Sequence, residues 1–194
     1  ELDMHSIMRI AAGWALAVVF AAGTSAAAGA VELKANGLHH QPWITDISLA
    51  PLHGTLAQVN KAGKHLVLLV EQKGCEFCKQ LHEENFTIPE LVRTITDDFK
   101  VLQVDMWGKD MVAVAPGEKL SQRAFTESFG VTNTPTTLFL GPGGKEIFRL
   151  PGYIGPFIYK SAFEYVADGA PQRQIKFVSW LKERRRKRQA QEAK

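Results

Sequence analysis

Apolar runs alternate with amphipathic segments along most of the chain. The runs from His65 to Val70 and from Phe99 to Met106 predict two buried strands. A third strand, Thr137 to Leu140, is followed by a glycine-rich turn and a fourth strand, Lys145 to Leu150, which together predict a hairpin. Helices are predicted around these strands, at 52–61, 75–84, 89–95, 121–129, 156–166 and 171–188. The pattern predicts an α/β fold, with an irregular lead-in at 31–51 and a long loop or insertion at 107–120.

The first thirty residues have the layout of a secretory signal peptide. A short basic start at Met8 to Ile10 precedes the apolar run Ala11 to Ala22, and small residues continue to Ala30. A transmembrane anchor is the alternative, but the run is shorter than the roughly 20 apolar residues that a bilayer requires. We therefore predict cleavage after Ala30, or a few residues earlier, and export to the periplasm.

The positive charge of the chain is concentrated at its end. Residues 182–194 carry seven basic and two acidic side chains, whereas the whole chain has a net charge of +3. A solvated helix end explains this composition, and contact with an anionic membrane or an acidic protein is the alternative. The predicted organisation is a signal peptide at 1–30, a lead-in at 31–51, one domain at 52–181 and a basic tail at 182–194. A nucleic-acid partner is not predicted for an exported protein.

The chain contains only two cysteines, and they are Cys75 and Cys78. They lie between a predicted strand and a predicted helix, where the free N–H groups and the positive end of the helix stabilise a thiolate. A disulfide between them would close a very small loop and would contribute little stability. The pair therefore predicts redox chemistry. About sixty residues later, Thr134-Pro135 directly precedes the third strand.

The order of elements, the Cys-x-x-Cys and the Thr-Pro resemble the thioredoxin fold over about 52–167. This resemblance implies a central mixed β-sheet flanked by helices, with an additional C-terminal helix. The segments 68–78, 104–108 and 151–153 most resemble periplasmic SoxW-type thioredoxins, and SoxS-type and cytochrome-c-maturation thioredoxins are near relatives. Such proteins reduce protein disulfides in the periplasm, are often linked to sulfur oxidation, and receive electrons from a membrane donor.

The resemblance also implies a role for each residue of the two motifs. Cys75, at the helix start, would be the exposed attacking thiolate, and Cys78, one turn deeper, would resolve the mixed disulfide. Pro135 would be cis and pack beside the disulfide, while Thr134 would offer its backbone to the substrate. No cofactor is predicted.

Two positions depart from the usual thioredoxin pattern. Glu76, within the Cys-x-x-Cys, places a negative charge beside the thiolate and should raise the thiol pKa, which makes the pair a weaker oxidant. Leu69 occupies the position of the buried aspartate that accepts the proton of the resolving thiol. Strand alternation puts Glu71 on the same face as Leu69, so Glu71 is a possible proton acceptor. A solvent-facing strand end is the equally weighted alternative for Glu71.

Other function classes remain open from the residues alone. Cys75, Cys78 and His82, with His39 or His40, could ligate a metal, but structural zinc sites draw on a second close ligand pair and none is nearby. We therefore predict no metal, and we predict that His82 is a surface residue. A non-catalytic binding module and a disulfide oxidase or isomerase are the remaining alternatives to a reductase.

Overall fold

The computed structural model describes residues 31–192, so the predicted signal peptide lies outside the described residues. The strands are β1 (Ile44–Asp46), β2 (His65–Glu71), β3 (Phe99–Asp105), β4 (Met111–Ala115), β5 (Glu118–Ser121), β6 (Thr136–Leu140) and β7 (Glu146–Pro151). The helices are α1 (Leu52–Lys61), α2 (Glu76–Gln80), α3 (Pro89–Asp98), α4 (Gln122–Ser128), α5 (Pro156–Ala167) and α6 (Phe177–Glu192). A π-helical turn, Leu81–Asn85, continues α2 without a break. Within 31–192, no helix combines the length and the apolar character needed to cross a bilayer.

A mixed five-stranded sheet in the order β1-β3-β2-β6-β7 forms the centre of the fold. Strands β1, β3 and β2 are parallel, and β6 and β7 complete the sheet in antiparallel pairing. Helices cover both faces of the sheet, as the two separate hydrophobic clusters show. The predicted fold class is confirmed.

Alternation along β2 divides its side chains between the two hydrophobic clusters. Leu66, Leu68 and Val70 belong to one cluster, whereas Val67 and Leu69 belong to the other. The second cluster also contains Leu81 and Phe86, which follow the Cys-x-x-Cys on the helix. The face of β2 that carries Leu69 therefore packs against the helix that begins at the cysteines.

Three segments differ from the sequence prediction. The predicted irregular lead-in contributes β1 to the edge of the sheet, and the predicted insertion at 107–120 contains the antiparallel hairpin β4–β5. Helix α6 begins at Phe177 rather than at Pro171 and continues to Glu192, so the predicted boundary between residues 181 and 182 falls inside a helix. Short or polar strands such as β1 and β5 lack the apolar runs by which the longer strands were recognised.

Candidate active site

The two cysteines form a disulfide at the start of α2. Their Cα atoms are 5.2 Å apart, and the backbone N–H of Cys78 donates to Sγ of Cys75 at 3.1 Å. Cys75 is thus the N-cap of the helix, and its sulfur accepts one of the N–H groups that a helix start leaves without an internal partner. A thiolate formed at this sulfur would keep that donor and would face the positive end of the helix.

The backbone before Cys75 requires a glycine. Gly74 has φ 72°, in the left-handed region that L side chains rarely adopt. A larger side chain at this position would be strained. Glycine at position 74 therefore allows the turn from β2 into α2.

The two sulfurs have different environments. Cys75 is 7% exposed and lines an open depression with Gly74, Thr134 and other residues, whereas Cys78 is fully buried. Cys75 is less exposed than predicted, because the Thr134 loop packs directly against it. The predicted order of accessibility nevertheless agrees with the structure, since only the first cysteine lines the depression.

The loop before β6 closes over the disulfide. The Thr134–Pro135 peptide bond is cis, as predicted, and Pro135 is buried. The Thr134 hydroxyl donates to Sγ of Cys75 at 3.3 Å, and the carbonyl of Pro135 accepts from the N–H of Gly152 at 2.7 Å. The predicted proximity of Thr134-Pro135 to the cysteines is confirmed. The hydrogen bond from the Thr134 side chain to the sulfur of Cys75 was not predicted.

Two exposed aromatic side chains flank the depression that Cys75 lines. Phe77 is 61% exposed and Trp107 is 53% exposed. The indole N–H of Trp107 donates to Gln72 Oε1 at 2.7 Å, and the Arg123 guanidinium lies 5.3 Å from the Trp107 ring centre. Glu76, the residue expected to modulate the thiol pKa, lies on the exposed side of the first helical turn and also lines the depression. Neither Phe77 nor Trp107 is among the site residues predicted from the sequence.

Glu71 and His82 form a fully buried pair beneath the redox helix. Neither side chain is exposed, and His82 Nε2 lies 3.0 Å from Glu71 Oε1. The prediction of His82 as a surface residue is wrong, because the α2 face that carries Cys78 continues inward through the π-helical turn. The alternative of Glu71 as a solvent-facing strand end is also wrong. The prediction that Glu71 lies on the same face of β2 as Leu69 is confirmed, and this face is buried.

The buried pair belongs to a wider polar network. The amide of Gln103 on β3 donates both to the other carboxylate oxygen of Glu71 and to the backbone carbonyl of His39, the latter at 2.9 Å. The ammonium of Lys34 donates to Gln103 Oε1, and the rings of His39 and His82 lie 5.0 Å apart. Burial, followed by the neighbouring His82, lowers the pKa of His39. The lead-in, through Lys34 and His39, therefore packs against the buried network and forms part of the site.

The same residues bear on whether the site could hold a metal. Because the two cysteines are joined in a disulfide, the Cys75, Cys78 and His82 combination offers no free thiolates in this state. His39, Glu71 and His82 place one ligand atom each within 4.8 Å of one another, which is one ligand fewer than structural zinc sites use. Both carboxylate oxygens of Glu71 already accept hydrogen bonds. In this state Glu71 and His82 form a hydrogen-bonded pair with the His39 ring beside it, and the expectation of no metal stays a prediction.

Comparison with known proteins agrees with the geometry. A family model described as a thioredoxin-like domain matches residues 52–167, more than half of the chain. No curated protein matches the sequence. A thioredoxin-fold protein from Helicobacter pylori is 23% identical with a TM-score of 0.50, covering 57% of this chain and 73% of that one. The oxidised C-terminal domain of DsbD from Neisseria meningitidis is 18% identical, with a TM-score of 0.47 and coverage of 62% and 97%.

The similarity to the Helicobacter pylori structure concerns the fold alone. The match over 52–167 spans the disulfide, the cis-proline loop and the strands that carry them. The chain belongs to the thioredoxin-like domain family.

Proposed function

We propose that the protein is a thiol–disulfide oxidoreductase that reduces protein disulfides through the Cys75–Cys78 dithiol. The observation that carries this proposal is the asymmetry of the disulfide, since one sulfur caps a helix and lines an open depression while the other is sealed beneath it. Structural disulfides have no need of such an asymmetry. A nucleophile followed by a shielded resolving thiol requires it.

The reduced form would act in two exchange steps. The Cys75 thiolate attacks one sulfur of a substrate disulfide, forms a mixed disulfide and releases the first substrate thiolate. The Cys78 thiolate then attacks Cys75, re-forms the internal disulfide and releases the second. Thr134, whose hydroxyl already contacts Cys75, would lie beside the incoming substrate, and we propose that its backbone and Pro135 line the peptide-binding side.

We propose that the protein works as a reductant, which is a statement about its reduction potential. The exposed Glu76 adds negative charge beside the helix start and disfavours the Cys75 thiolate. Strong oxidants with this fold have a stabilised thiolate, which favours their reduced form. We expect a potential nearer about −270 mV, the thioredoxin value, than about −120 mV, the value of a strong oxidant. Equilibration with glutathione buffers of known ratio, followed by thiol quantification, measures it.

A potential above roughly −160 mV would contradict the reductant assignment and favour an oxidase. Glu76→Gln is the matched variant, because it keeps the shape of the side chain and removes its charge. Its potential should be less negative than that of the parent protein. An unchanged potential would remove Glu76 from the set of pKa-modulating residues.

We also propose that the protein is exported to the periplasm and draws electrons from a membrane donor that reduces thioredoxins. The support is the signal-like segment at 8–30 and the SoxW-type resemblance, which also suggests a link to sulfur oxidation. The basic end of α6 offers a surface for an anionic membrane or an acidic protein. N-terminal sequencing of the protein recovered from the periplasm should find Val31 as the first residue. Retention of Met8 in that fraction would contradict the cleavage.

A further inference from the structure

We propose that Glu71 and His82 act together as the proton acceptor for the resolving thiol, with His82 as the base and Glu71 as the residue that orients it. This inference rests on the proposed dithiol function. Cys78 has no exposed surface, so solvent does not have free access to its proton. The position that supplies a buried aspartate in thioredoxins holds Leu69 here, and an apolar side chain there can take no proton.

Helix and strand geometry bring the pair to the buried side of the cysteines. Cys78 and His82 are four residues apart on one continuous helical segment and are both fully buried, so they lie on the same face in successive turns. Glu71 is on the β2 face that packs against this helix, two residues beyond Leu69. The pair thus lies on the buried side of the helical segment that carries the resolving thiol.

The hydrogen-bond inventory of His82 identifies which nitrogen is the base. A carboxylate can only accept, so Nε2, at 3.0 Å from Glu71, carries the ring hydrogen. In the neutral ring Nδ1 is then an acceptor, and it is buried without a hydrogen-bond partner among the described residues. A ring nitrogen in this state has its lone pair available to take a proton. A carboxylate holding one imidazole nitrogen while the other remains free is the arrangement of a general base.

The residues around Glu71 and His82 hold the two side chains in place, and none of the described residues donates to His82 Nδ1. Gln103 occupies the second oxygen of Glu71, and the Phe86 ring packs edge-on against His82 at 4.9 Å. The ionisable groups that face the network are His39 and Lys34 from the lead-in, Lys79 and Glu83 from the redox helix, and Tyr159 from α5. His39, whose pKa is lowered by burial, favours its neutral form and so adds no fixed charge beside the base.

The proposed step balances without any further reactant. In the mixed disulfide, the Cys78 S–H bond breaks and its proton moves to His82 Nδ1, giving an imidazolium held by the Glu71 carboxylate. The Cys78 thiolate attacks Sγ of Cys75, the new Sγ–Sγ bond forms, and the bond from Cys75 to the substrate sulfur breaks. Two electrons pass from the dithiol to the substrate, whose departing thiolate is protonated by solvent.

The reaction of the reduced protein with an aromatic disulfide that releases a coloured thiolate separates the two steps. Attack by Cys75 releases one equivalent and forms a mixed disulfide, and attack by Cys78 releases the second. In His82→Gln the amide can still donate to Glu71 but cannot take a proton. We expect its second phase to be about a hundredfold slower near pH 6, within the usual range of general-base effects, with the first phase within about twofold.

The pH profile distinguishes a base from a structural residue. As the pH rises, hydroxide competes increasingly with the internal base for the thiol proton, so the ratio of the parent second-phase rate to that of His82→Gln should shrink. A slowing that is equal at all pH values, or no slowing, would overturn the proposal. His65→Gln is the control, since His65 is on β2, the strand that carries Glu71, and lies at the opposite end of that strand.

A Glu71→Gln variant and the pH profile of the parent protein test the proposal independently of His82→Gln. Glu71→Gln should leave His82 unoriented and slow the second phase at low pH by about tenfold or more. If either variant fails to fold, the parent protein alone decides. A second phase that falls tenfold per pH unit below about pH 8.5 is the behaviour of an unassisted thiol, and it would overturn the proposal. Absence of any second phase in the parent would instead contradict the dithiol function itself.

Discussion

We expect Cys75→Ser to abolish disulfide reduction and Cys78→Ser to produce a protein that captures its substrate covalently. The sulfur of Cys75 lines the open depression and receives the N–H of Cys78, so its thiolate is both accessible and stabilised. Without it, no mixed disulfide forms. Without Cys78, the mixed disulfide forms but has no internal thiol to release it, and turnover should fall by several orders of magnitude.

The measurement combines activity with trapping. A non-reducing gel of each variant, mixed with a disulfide-containing model protein, should show a higher-mass band only for Cys78→Ser, and dithiothreitol should remove it. Iodoacetamide near neutral pH should label Cys75 of the reduced parent faster than Cys78. Thr94→Val is a matched control, because it removes a hydroxyl on α3, outside the depression that Cys75 lines, and keeps the side-chain shape and both thiols. It should retain turnover and form no stable band.

Faster labelling of Cys78, or turnover by Cys75→Ser, would reverse the assigned roles without affecting the fold. The fold rests on other residues, chiefly the apolar strands β2, β3 and β6, whose side chains are buried almost throughout. Their continuous hydrophobic runs made the central sheet predictable from the sequence. Central strands that are covered on both faces have continuous apolar runs, so they are easier to recognise from sequence than strands with one exposed face.

The elements that were not predicted lack this signal. Strand β1 has three residues and gains its stability from pairing with β3, a contact between residues about 57 positions apart that local pattern cannot indicate. The hairpin β4–β5 is mostly polar or half-buried, and only Val112 is deeply buried within it. Both elements depend on tertiary contacts rather than on their own sequence.

In the candidate site too, some residues are predictable from short motifs and others only from their position in the fold. Cys75, Cys78, Thr134 and Pro135 each belong to a short motif with a mechanism, and the structure joins the cysteines in a disulfide that Thr134 contacts. Residue type alone predicts a surface position for His82, because a lone histidine on a helix is usually solvated. Its spacing of four from Cys78 carried the correct information, since a residue one turn beyond a buried cysteine shares its face. The position of His82 on the helix, and not its residue type, determines its burial.

A second large effect is expected far from the active site, at Trp180. This residue is on α6, beyond the segment that the family model matches, and it is 8% exposed within the larger hydrophobic cluster. Its indole N–H donates to Asp168 at 2.9 Å, and its ring packs edge-on against Tyr165 at 5.6 Å. Trp180→Ala removes the packing and leaves a cavity, so we expect the free energy of unfolding to fall by about 3–5 kcal/mol.

Urea unfolding followed by far-UV circular dichroism measures this loss. Val178→Ala, on the same helix and 61% exposed, should change the stability by less than about 0.5 kcal/mol. The loss should also depend on pH. The hydrogen bond from Trp180, followed by Arg173, lowers the pKa of Asp168, so the stability that this carboxylate contributes is present above its unfolded pKa and is lost as the pH falls.

The difference between Trp180→Ala and the parent should therefore be smaller below about pH 4 than at pH 7. The part of the loss that remains at low pH is the packing of the indole against the α5 side of the sheet. A loss below about 1 kcal/mol at pH 7 would mean that α6 is only loosely associated and that the stable domain ends near Ala167. A loss of the expected size would mean that the hydrophobic core of this protein extends through α6, with the basic residues 182–188 carried on the same helix rather than on a separate tail.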